Sequence, residues 1–253
     1  MKTFLISISL IFNLIILSLF VFFIYTKGGL PYLAEKFTQT REAARSKLVS
    51  SPQPVEKISD LTTIKLMPAE TDRGKPLMQV LKERKSGRSY ADQEFTLQDL
   101  SNLLWAADGI TRENGKRTAP SARNLQEFTI CVIVKDGIYS YDPVNNELVP
   151  IVAGDFRKYA GLDAYVATAP VNLIYVADLA KMNWTTNESE KMTIANLDVG
   201  FIAENVALFC TSEGFVSVPR LYIDKDKLAQ ILKLRPEQKI ILGTTVGYRK
   251  TND

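Results

Sequence analysis

The sequence predicts an α+β domain with a mostly antiparallel central sheet flanked by helices, preceded by an apolar N-terminal segment. Two observations favour this fold class. Helical and strand patterns are mixed without a regular strand–helix–strand rhythm, which argues against a doubly wound parallel sheet. Neither GxGxxG nor a GxxxxGK loop ending in Ser or Thr occurs, so the usual nucleotide-binding loops are excluded.

The composition excludes several kinds of site. The 253-residue chain has 31 Lys and Arg, 28 Asp and Glu, two Cys and no His, and 46% of it is apolar, as in folded globular proteins. Without His there is no Ser–His or Cys–His nucleophile pair and no His-ligated zinc. Two Cys are too few for a Cys-only zinc site or an iron–sulfur cluster, so no metal centre is predicted. The net charge of +3 is too small to indicate a nucleic-acid partner.

The N-terminal segment predicts a membrane anchor. Phe4–Tyr25 contains 18 apolar residues, three Ser and one Asn, and carries no charge. As a helix it spans about 33 Å, enough to cross the hydrocarbon core of a bilayer. A cleaved signal peptide has a shorter apolar run and a small-residue cleavage site, and no good site follows here. We therefore expect residues 1–27 to be an uncleaved signal anchor, with a cleaved signal as the alternative.

The side of the membrane that the body occupies stays open at this point. Lys2 precedes the span and five Lys or Arg residues follow it closely, which by charge counting favours a cytoplasmic body. The short leading tail instead favours export. Residues 28–60 are a predicted tether, in which an amphipathic helix over 31–49 ends at Ser51–Pro54. Residues 61–253 form one predicted domain of about 190 residues.

The first half of this domain contains two predicted helices and two predicted strands. Pro76 suits the first turn of the first helix, and Thr96 with Asp99 resembles a capping box that opens the second. An Asp-Gly pair predicts a turn between the two strands. These elements cover 76–85, 96–107, 128–134 and 138–142.

The second half contains three predicted strands and two predicted helices. The first strand is apolar throughout, as in strands buried on both faces. Gly214 suits the left-handed cap of a long helix, and Asp224 suits the N-cap of a short one. In chain order the elements cover 171–177, 190–213, 215–223, 224–234 and 239–248.

Cysteine and tryptophan are expected to serve packing. Cys131 lies in an apolar strand and Cys210 in an apolar helix, which favours buried, unpaired thiols. A disulfide between them is the alternative outside the cytoplasm. Trp105 and Trp184 are interpreted as packing residues and not as ligand stackers.

A basic motif at the end of the first helix suits an anion. In ERKSGRSY, the guanidinium groups of Arg84 and Arg88 and the charge of Lys85 surround Ser86, whose hydroxyl donates. Guanidinium binds phosphate in a bidentate manner and stays charged. The alternative is an ordinary solvated helix end, favoured by the helix dipole.

Three further segments carry candidate binding groups. The loop KRTAPSARNLQ places Pro120, Ser121 and Asn124 where a planar polar ligand would be held, unless they serve only as turn residues. In TSEGFVSV, Glu213 and Gly214 end a helix, so backbone N–H groups are exposed there, or the segment is simply a cap. TVGYRK ends with Arg249 and Lys250, which add positive charge to a binding site. The alternative is that they form an ordinary solvated tail.

In this order the motifs resemble the nitroreductase family of FMN-dependent oxidoreductases, and within it the SagB-type dehydrogenase-like branch. The resemblance extends from about Leu77 to Lys250. No single marker is decisive, but six in register are specific. The markers are LKERKSGRSY, LLWAADGITR, GKRTAPSARNLQ, ATAPVNLIYVA, GFIAENVALFCTSEG and TVGYRK.

The resemblance implies a sandwich fold with FMN bound at a homodimer interface. The family's phosphate and pyrimidine position corresponds to Arg84–Arg88, which includes Lys85 and Ser86. The loop Pro120–Asn124 would reach the flavin from the partner subunit. Glu213 and Gly214 would lie near flavin N5. The basic pair near the phosphate would be Arg249 and Lys250.

The resemblance leaves the substrate open. Arg123, next to Ala122 in the loop, stands where the family frequently has glycine, and this cation would narrow the pocket or bind an acidic substrate. Electrons are expected to pass from NAD(P)H through the flavin to a small organic molecule. If the reaction needs a protein base, the candidates are Glu213, Asp108 and Tyr90. The alternative function is a membrane-tethered flavin-binding or degenerate module without turnover.

Overall fold

A seven-stranded antiparallel sheet forms the centre of the molecule. The computed structural model describes residues 61–250. The strands are β1 Ile64–Lys65, β2 Phe128–Ile133, β3 Gly137–Asp142, β4 Glu147–Ala153, β5 Val171–Asp178, β6 Phe215–Arg220 and β7 Gln238–Tyr248. Their order across the sheet is β1-β4-β3-β2-β5-β7-β6, and every pairing within the described residues is antiparallel.

Five α-helices and three short 3-10 helices accompany the described strands. The α-helices are α1 Leu77–Glu83, α2 Leu97–Asp108, α3 Ala164–Thr168, α4 Glu188–Glu213 and α5 Lys225–Ile231. The 3-10 helices are Ala122–Asn124, Arg157–Tyr159 and Leu179–Lys181. The predicted α+β class with a sheet flanked by helices is therefore confirmed.

The sheet separates two apolar layers. Along β2, Ile130 and Val132 pack into the layer that α2 and α4 cover, whereas Cys131 and Ile133 pack into the layer of α3 and α5. The same alternation continues along β5. Because successive strand residues point to opposite faces, a strand that is apolar at every position is buried on both sides. The central strands are thus the core of a three-layer sandwich.

Helix α4 is the long helix of the main layer. The Asn187 side chain accepts from the N–H groups of Ser189 and Glu190, and Gly214 ends the helix in the left-handed region at φ 78°. Among residues 61–250, α4 alone has the length and apolar composition of a membrane span. Its buried residues, from Ala195 to Cys210, lie in the core, so packing accounts for that apolar character.

The structure corrects several predicted boundaries. The predicted helix start at Thr96 is confirmed, because Thr96 Oγ1 accepts from Asp99 N–H at 3.1 Å. The reciprocal bond of a capping box is not formed, since Thr96 N–H donates to the Tyr248 hydroxyl at 3.2 Å. The last helix ends at Ile231 and not at Leu234, since Lys233 adopts a left-handed φ of 52°. The strand after Gly214 ends at Arg220 and not at residue 223.

Two strands and one α-helix were not predicted from the sequence, namely β1, β4 and α3, and neither were the three 3-10 helices. Pro150 within β4 obscures the strand pattern, because proline is depleted in strands. The predicted membrane span, the helix over 31–49 and the tether lie outside the described residues. Cys131 and Cys210 are buried free thiols, as expected, and burial raises the pKa of each to about 12.

Candidate functional site

The chain that follows α1 forms a tight loop over β6 and the end of β7. Gly87 N–H donates to the Ser217 carbonyl at 3.0 Å, and Ala91 N–H donates to the Tyr248 carbonyl at 2.9 Å. A Cβ atom at position 87 would lie 2.4 Å from Val216 Cγ1. Only glycine allows this close approach of backbone to strand. The loop is therefore fixed to the sheet by its backbone, while its Arg88 guanidinium lies 6.0 Å from the centre of the Tyr165 ring and its Tyr90 side chain is buried.

Five cations lie on the two chain segments that meet at this contact. Because Tyr248 is bonded to Ala91, the residues that follow it lie beside the loop, so the structure brings two predicted basic motifs together. The cluster, called the basic cluster below, consists of Arg84, Lys85, Arg88, Arg249 and Lys250, all of them exposed. Within residues 61–250 none of the five forms an ion pair. Unpaired guanidinium and ammonium groups beside an exposed Ser86 suit a phosphate dianion.

The C-terminus of α4 adjoins the basic cluster. Phe215, the residue after Gly214, pairs with Tyr248 in the sheet. The Glu213 carboxylate, 6% exposed, accepts from Arg73 Nη2 at 2.6 Å. A groove of about 260 Å³ lies beside this pair, and its lining includes Trp105 and Phe209. Glu213 is thus held in an ion pair at the edge of a groove.

The loop with Pro120 has a strained backbone. Three non-glycine residues lie in the left-handed region, namely Arg123 at φ 52°, Asn124 at φ 56° and Gln126 at φ 50°. Such conformations cost about 1 kcal/mol or more each and persist where surrounding contacts enforce them. Here Ala122 N–H donates to Asp198 Oδ2 at 2.7 Å, which ties the loop to α4.

Arg123 also has a defined position. Its guanidinium carbon lies 4.6 Å from the centre of the Trp184 ring, within cation–π distance. Trp184 itself packs against the main core. The left-handed φ of Arg123 explains why glycine suits this position, and the stacking on Trp184 offsets part of the strain.

Three buried acids lie beneath this loop, around a cavity of about 10 Å³. Asp108 is ion-paired with Arg117, and burial, opposed by that arginine, raises the pKa of Asp108 to about 6. Glu127 is fully buried and Asp198 is 6% exposed. Among the described residues no group of acids or cysteines has the arrangement of a metal site. The loop therefore rests on an acidic interior.

The two predicted halves of the site lie far apart in one chain. The loop Pro120–Asn124 is bonded at Asp198, whereas Glu213 and the basic cluster lie at the C-terminal end of α4. The 15 residues from Asp198 to Glu213 extend about 22 Å along the helix. The structure thus places the segments ERKSGRSY, TSEGFVSV and TVGYRK near the C-terminal end of α4. The loop KRTAPSARNLQ lies away from them, near the middle of the helix.

Comparison with known proteins identifies the family. Residues 81–248 match the family model described as the nitroreductase family. A Methanocaldococcus jannaschii protein provisionally named as a nitroreductase is 33% identical over 171 residues, which cover 63% of this chain and 85% of that one. A crystal structure of a provisionally named nitroreductase from Ralstonia eutropha JMP134 has a TM-score of 0.70 and 32% identity, covering 79% of this chain and 100% of that chain.

This chain belongs to the nitroreductase family. A further solved nitroreductase-like structure, from Anabaena variabilis, has a TM-score of 0.64 at 17% identity and covers 82% of this chain and 47% of that chain; it supports the fold alone. Members of the family are typically flavin-dependent oxidoreductases, so an oxidoreductase activity is indicated for this chain.

Several residues of this nitroreductase's site were missed in the sequence. Arg73 lies in an irregular segment without a pattern. Trp184 packs against the core as predicted, but its contact with Arg123 was not predicted. Asp198 did offer a signal, because it is an acid in the apolar body of a long helix. Glu127 offered another, because it directly precedes the apolar strand β2. Buried acids at such positions indicate a structural or functional partner.

Proposed function

We propose that this nitroreductase is an FMN-dependent oxidoreductase of the SagB-type branch that transfers hydride between NAD(P)H and a small organic acceptor. The observation that carries the proposal is the basic cluster, which has no ion pair among the described residues and adjoins the Gly214 end of α4. The loop backbone around Gly87 approaches the sheet so closely that the cations are presented outward. This arrangement fits the phosphate of a flavin mononucleotide.

The chain's own residues would bind and orient the cofactor. Arg84, Arg88 and Arg249 would hold the phosphate by charge-assisted hydrogen bonds, with Ser86 donating its hydroxyl. When bound, the flavin supplies the electron chemistry, because its N5 position takes up and gives back a hydride. Backbone groups at Gly214 would contact that edge of the ring, as the resemblance implies.

The three residues named as candidate bases all form a hydrogen bond or an ion pair in the structure. Burial raises the pKa of Tyr90 above its ordinary value, and its hydroxyl donates to the Gly87 carbonyl at 3.2 Å. Asp108 is paired with Arg117 in the interior, and Glu213 is paired with Arg73. The proposal therefore assigns no protein base, and proton exchange is left to the substrate and solvent.

We propose a homodimer, because the two segments that the resemblance assigns to one flavin lie about 22 Å apart along α4 of a single chain. An antiparallel α4–α4 contact about a two-fold axis midway between Asp198 and Gly214 would bring the Pro120–Asn124 loop of one subunit to the Gly214 end of the other. Leu197 and Phe201 on α4 are 64% and 48% exposed, which provides an apolar surface for such a contact. In an isologous interface every contact occurs twice, so the dimer would contain two complete sites.

We also propose that residues 1–27 anchor the protein in a membrane, which rests on the uncharged run Phe4–Tyr25. The charge count favours a cytoplasmic body and the short leading tail favours an extracytoplasmic one. A reporter fused to the C-terminus separates the two topologies, because only one side of the membrane supports its activity.

The enzyme proposal is tested on the full chain purified in mild detergent. We expect a yellow protein with FMN absorbance that bleaches anaerobically when NADH or NADPH is added. A protein that takes up no FMN would refute the flavin assignment. A yellow protein that neither reductant bleaches would instead support the flavin-binding module without turnover.

A further inference from the structure

Glu127 lies directly beneath the strained loop without a hydrogen-bond donor. Its side chain is fully buried, and neither carboxylate oxygen has a hydrogen-bond partner among the described residues. Most buried polar atoms in proteins are hydrogen-bonded, so two unpartnered oxygens on one side chain call for a physical explanation.

The explanation is the neighbouring carboxyl group of Asp198. The two side chains line the same small cavity and lie within hydrogen-bond reach of each other. Two carboxylates cannot bond because both only accept, but a protonated carboxyl donates to an ionised one. Burial and the charge of Asp198 raise the pKa of Glu127 to about 7, so Glu127 is the protonated partner.

Asp198 in turn holds the loop. Its Oδ2 atom accepts from Ala122 N–H at 2.7 Å, within the 3-10 helix that contains the left-handed Arg123. A hydrogen bond to an ionised acceptor is roughly twice as strong as a neutral one. The proton on Glu127 thus stabilises the negative charge that anchors a strained segment.

The other charges facing this pair are already committed. Asp108 on α2 is paired with Arg117, and Lys181 donates to the Gln126 carbonyl at 2.7 Å. The positive charge of Lys181 opposes the rise in the pKa of Glu127 only in part. The pair therefore depends on the proton and not on a nearby cation.

We infer that Glu127 is a positioning residue, which through a proton shared with Asp198 holds the Pro120–Asn124 loop in the conformation that contacts the flavin. This inference rests on the proposed function for its effect on FMN. The position of the loop itself is independent of the cofactor.

The sign of the pH dependence follows from the raised pKa. The held loop binds a proton that the released loop does not, between the ordinary pKa of Glu near 4.5 and about 7. The stabilisation is fully present at the acid end of this window and is lost as the pH rises to about 7. Above that, the two carboxylates repel each other and the loop is released.

The test compares three variants of the full chain in detergent between pH 5 and pH 9. In Glu127→Gln the amide donates to Asp198 at every pH, and in Asp198→Asn the new amide donates to ionised Glu127. Glu113→Gln is the matched control, because Glu113 is an exposed acid on the preceding turn. FMN affinity is one measurement, and iodide quenching of Trp184 without FMN is the second, in a Trp105→Phe background.

In the wild type and in Glu113→Gln, we expect FMN affinity to fall by up to about fiftyfold from pH 5 to pH 7.5, because the pKa of Glu127 is near 4.5 in the released loop and about 7 in the held one. Quenching of Trp184 should rise over the same range as Arg123 leaves the ring. Both profiles should be flat in Glu127→Gln and shallower in Asp198→Asn, where burial still raises the pKa of Glu127 but the charge of Asp198 no longer does.

The inference is overturned if Trp184 quenching in the wild type does not change with pH, or if Glu127→Gln follows the wild-type profile. If FMN does not bind at any pH but Trp184 responds as expected, the proposed function fails and the role of Glu127 in holding the loop stands. The two failures are therefore distinguishable.

Discussion

The two ends of the site in this nitroreductase differ in almost every physical respect. At the C-terminus of α4, the basic cluster is cationic and exposed, and none of its members forms an ion pair among the described residues. About 22 Å along the same helix, Asp198 anchors a strained loop above buried acids. The cations of the first region are available to bind an anionic ligand. The charged groups of the second region instead bind the protein's own backbone and side chains.

This difference teaches how the molecule divides binding from positioning. Changes in the basic cluster should weaken a ligand and leave the fold intact, because surface substitutions usually change stability by less than about 0.5 kcal/mol. Changes among the buried acids should lower the stability of the fold first. The following predictions are ordered by the size of the expected effect.

The largest effect is expected from removing two arginines of the basic cluster. Arg84→Ala combined with Arg249→Ala should weaken FMN binding at least about hundredfold, since each charge-assisted hydrogen bond contributes about 1.5–3 kcal/mol. The unfolding temperature without FMN should not change. Lys82→Ala, an exposed cation on α1, is the control for a general effect of charge. Unchanged FMN affinity in the double variant, measured by calorimetry, would contradict the assignment of the cluster.

Loss of the buried ion pair should act on stability instead. Arg117→Ala leaves the Asp108 carboxyl buried without its partner and should lower the free energy of unfolding by about 3 kcal/mol. Adding Asp108→Ala should recover part of that loss, because the unpaired charge is then gone. Denaturant unfolding measures both variants. A single variant as stable as the wild type would show that the pair is not structurally important.

An acidic residue introduced on the exposed face of α4 should disrupt the proposed contact between the α4 helices of two subunits. Phe201→Glu is expected to give a monomer in sedimentation and to reduce FMN affinity about tenfold or more, because a charge buried in an apolar interface is strongly unfavourable. Val144→Glu places the same acid on an exposed apolar position of the β3–β4 turn and should leave a dimer. A Phe201→Glu dimer with full FMN affinity would exclude α4 as the contact.

The smallest effect concerns the left-handed residue of the loop. Arg123→Gly relieves a backbone strain of about 1 kcal/mol and loses a cation–π contact of similar size, so its stability should match the wild type. Arg123→Ala keeps the strain and loses the contact, so it should be about 1 kcal/mol less stable. Thermal unfolding of both variants decides whether the contact with Trp184 offsets the strain. Equal unfolding midpoints for Arg123→Gly and Arg123→Ala would contradict that account.

The fold was largely predictable because its main elements carry local signals. The apolar run of β5 and the caps of α2 and α4 are readable from neighbouring residues. Strand β4 was missed because Pro150 interrupts its pattern, and β1 is only two residues long. The boundary at Ile231 depends on the left-handed turn at Lys233, which no local pattern indicates.

The site was predictable only in part. Each basic motif is a short contiguous segment, and the backbone bonds of Gly87 to Ser217 and of Ala91 to Tyr248 bring the two segments together, which only the resemblance to the family had implied. The Glu127–Asp198 contact joins a strand to a distant helix, and a sequence without an alignment does not show such proximity. The separation of the two halves along α4 likewise follows from helix geometry and not from any motif.

The central claim is that two copies of the chain complete each flavin site. The direct measurement is FMN binding by a mixed dimer, in which one chain carries Arg84→Ala with Arg249→Ala and the other carries Asn124→Ala with Pro120→Gly. We expect neither homodimer to bind FMN at wild-type affinity and the mixed dimer to recover wild-type affinity at one of its two sites. A mixed dimer without any wild-type site would contradict the account, because each site would then lie within a single chain.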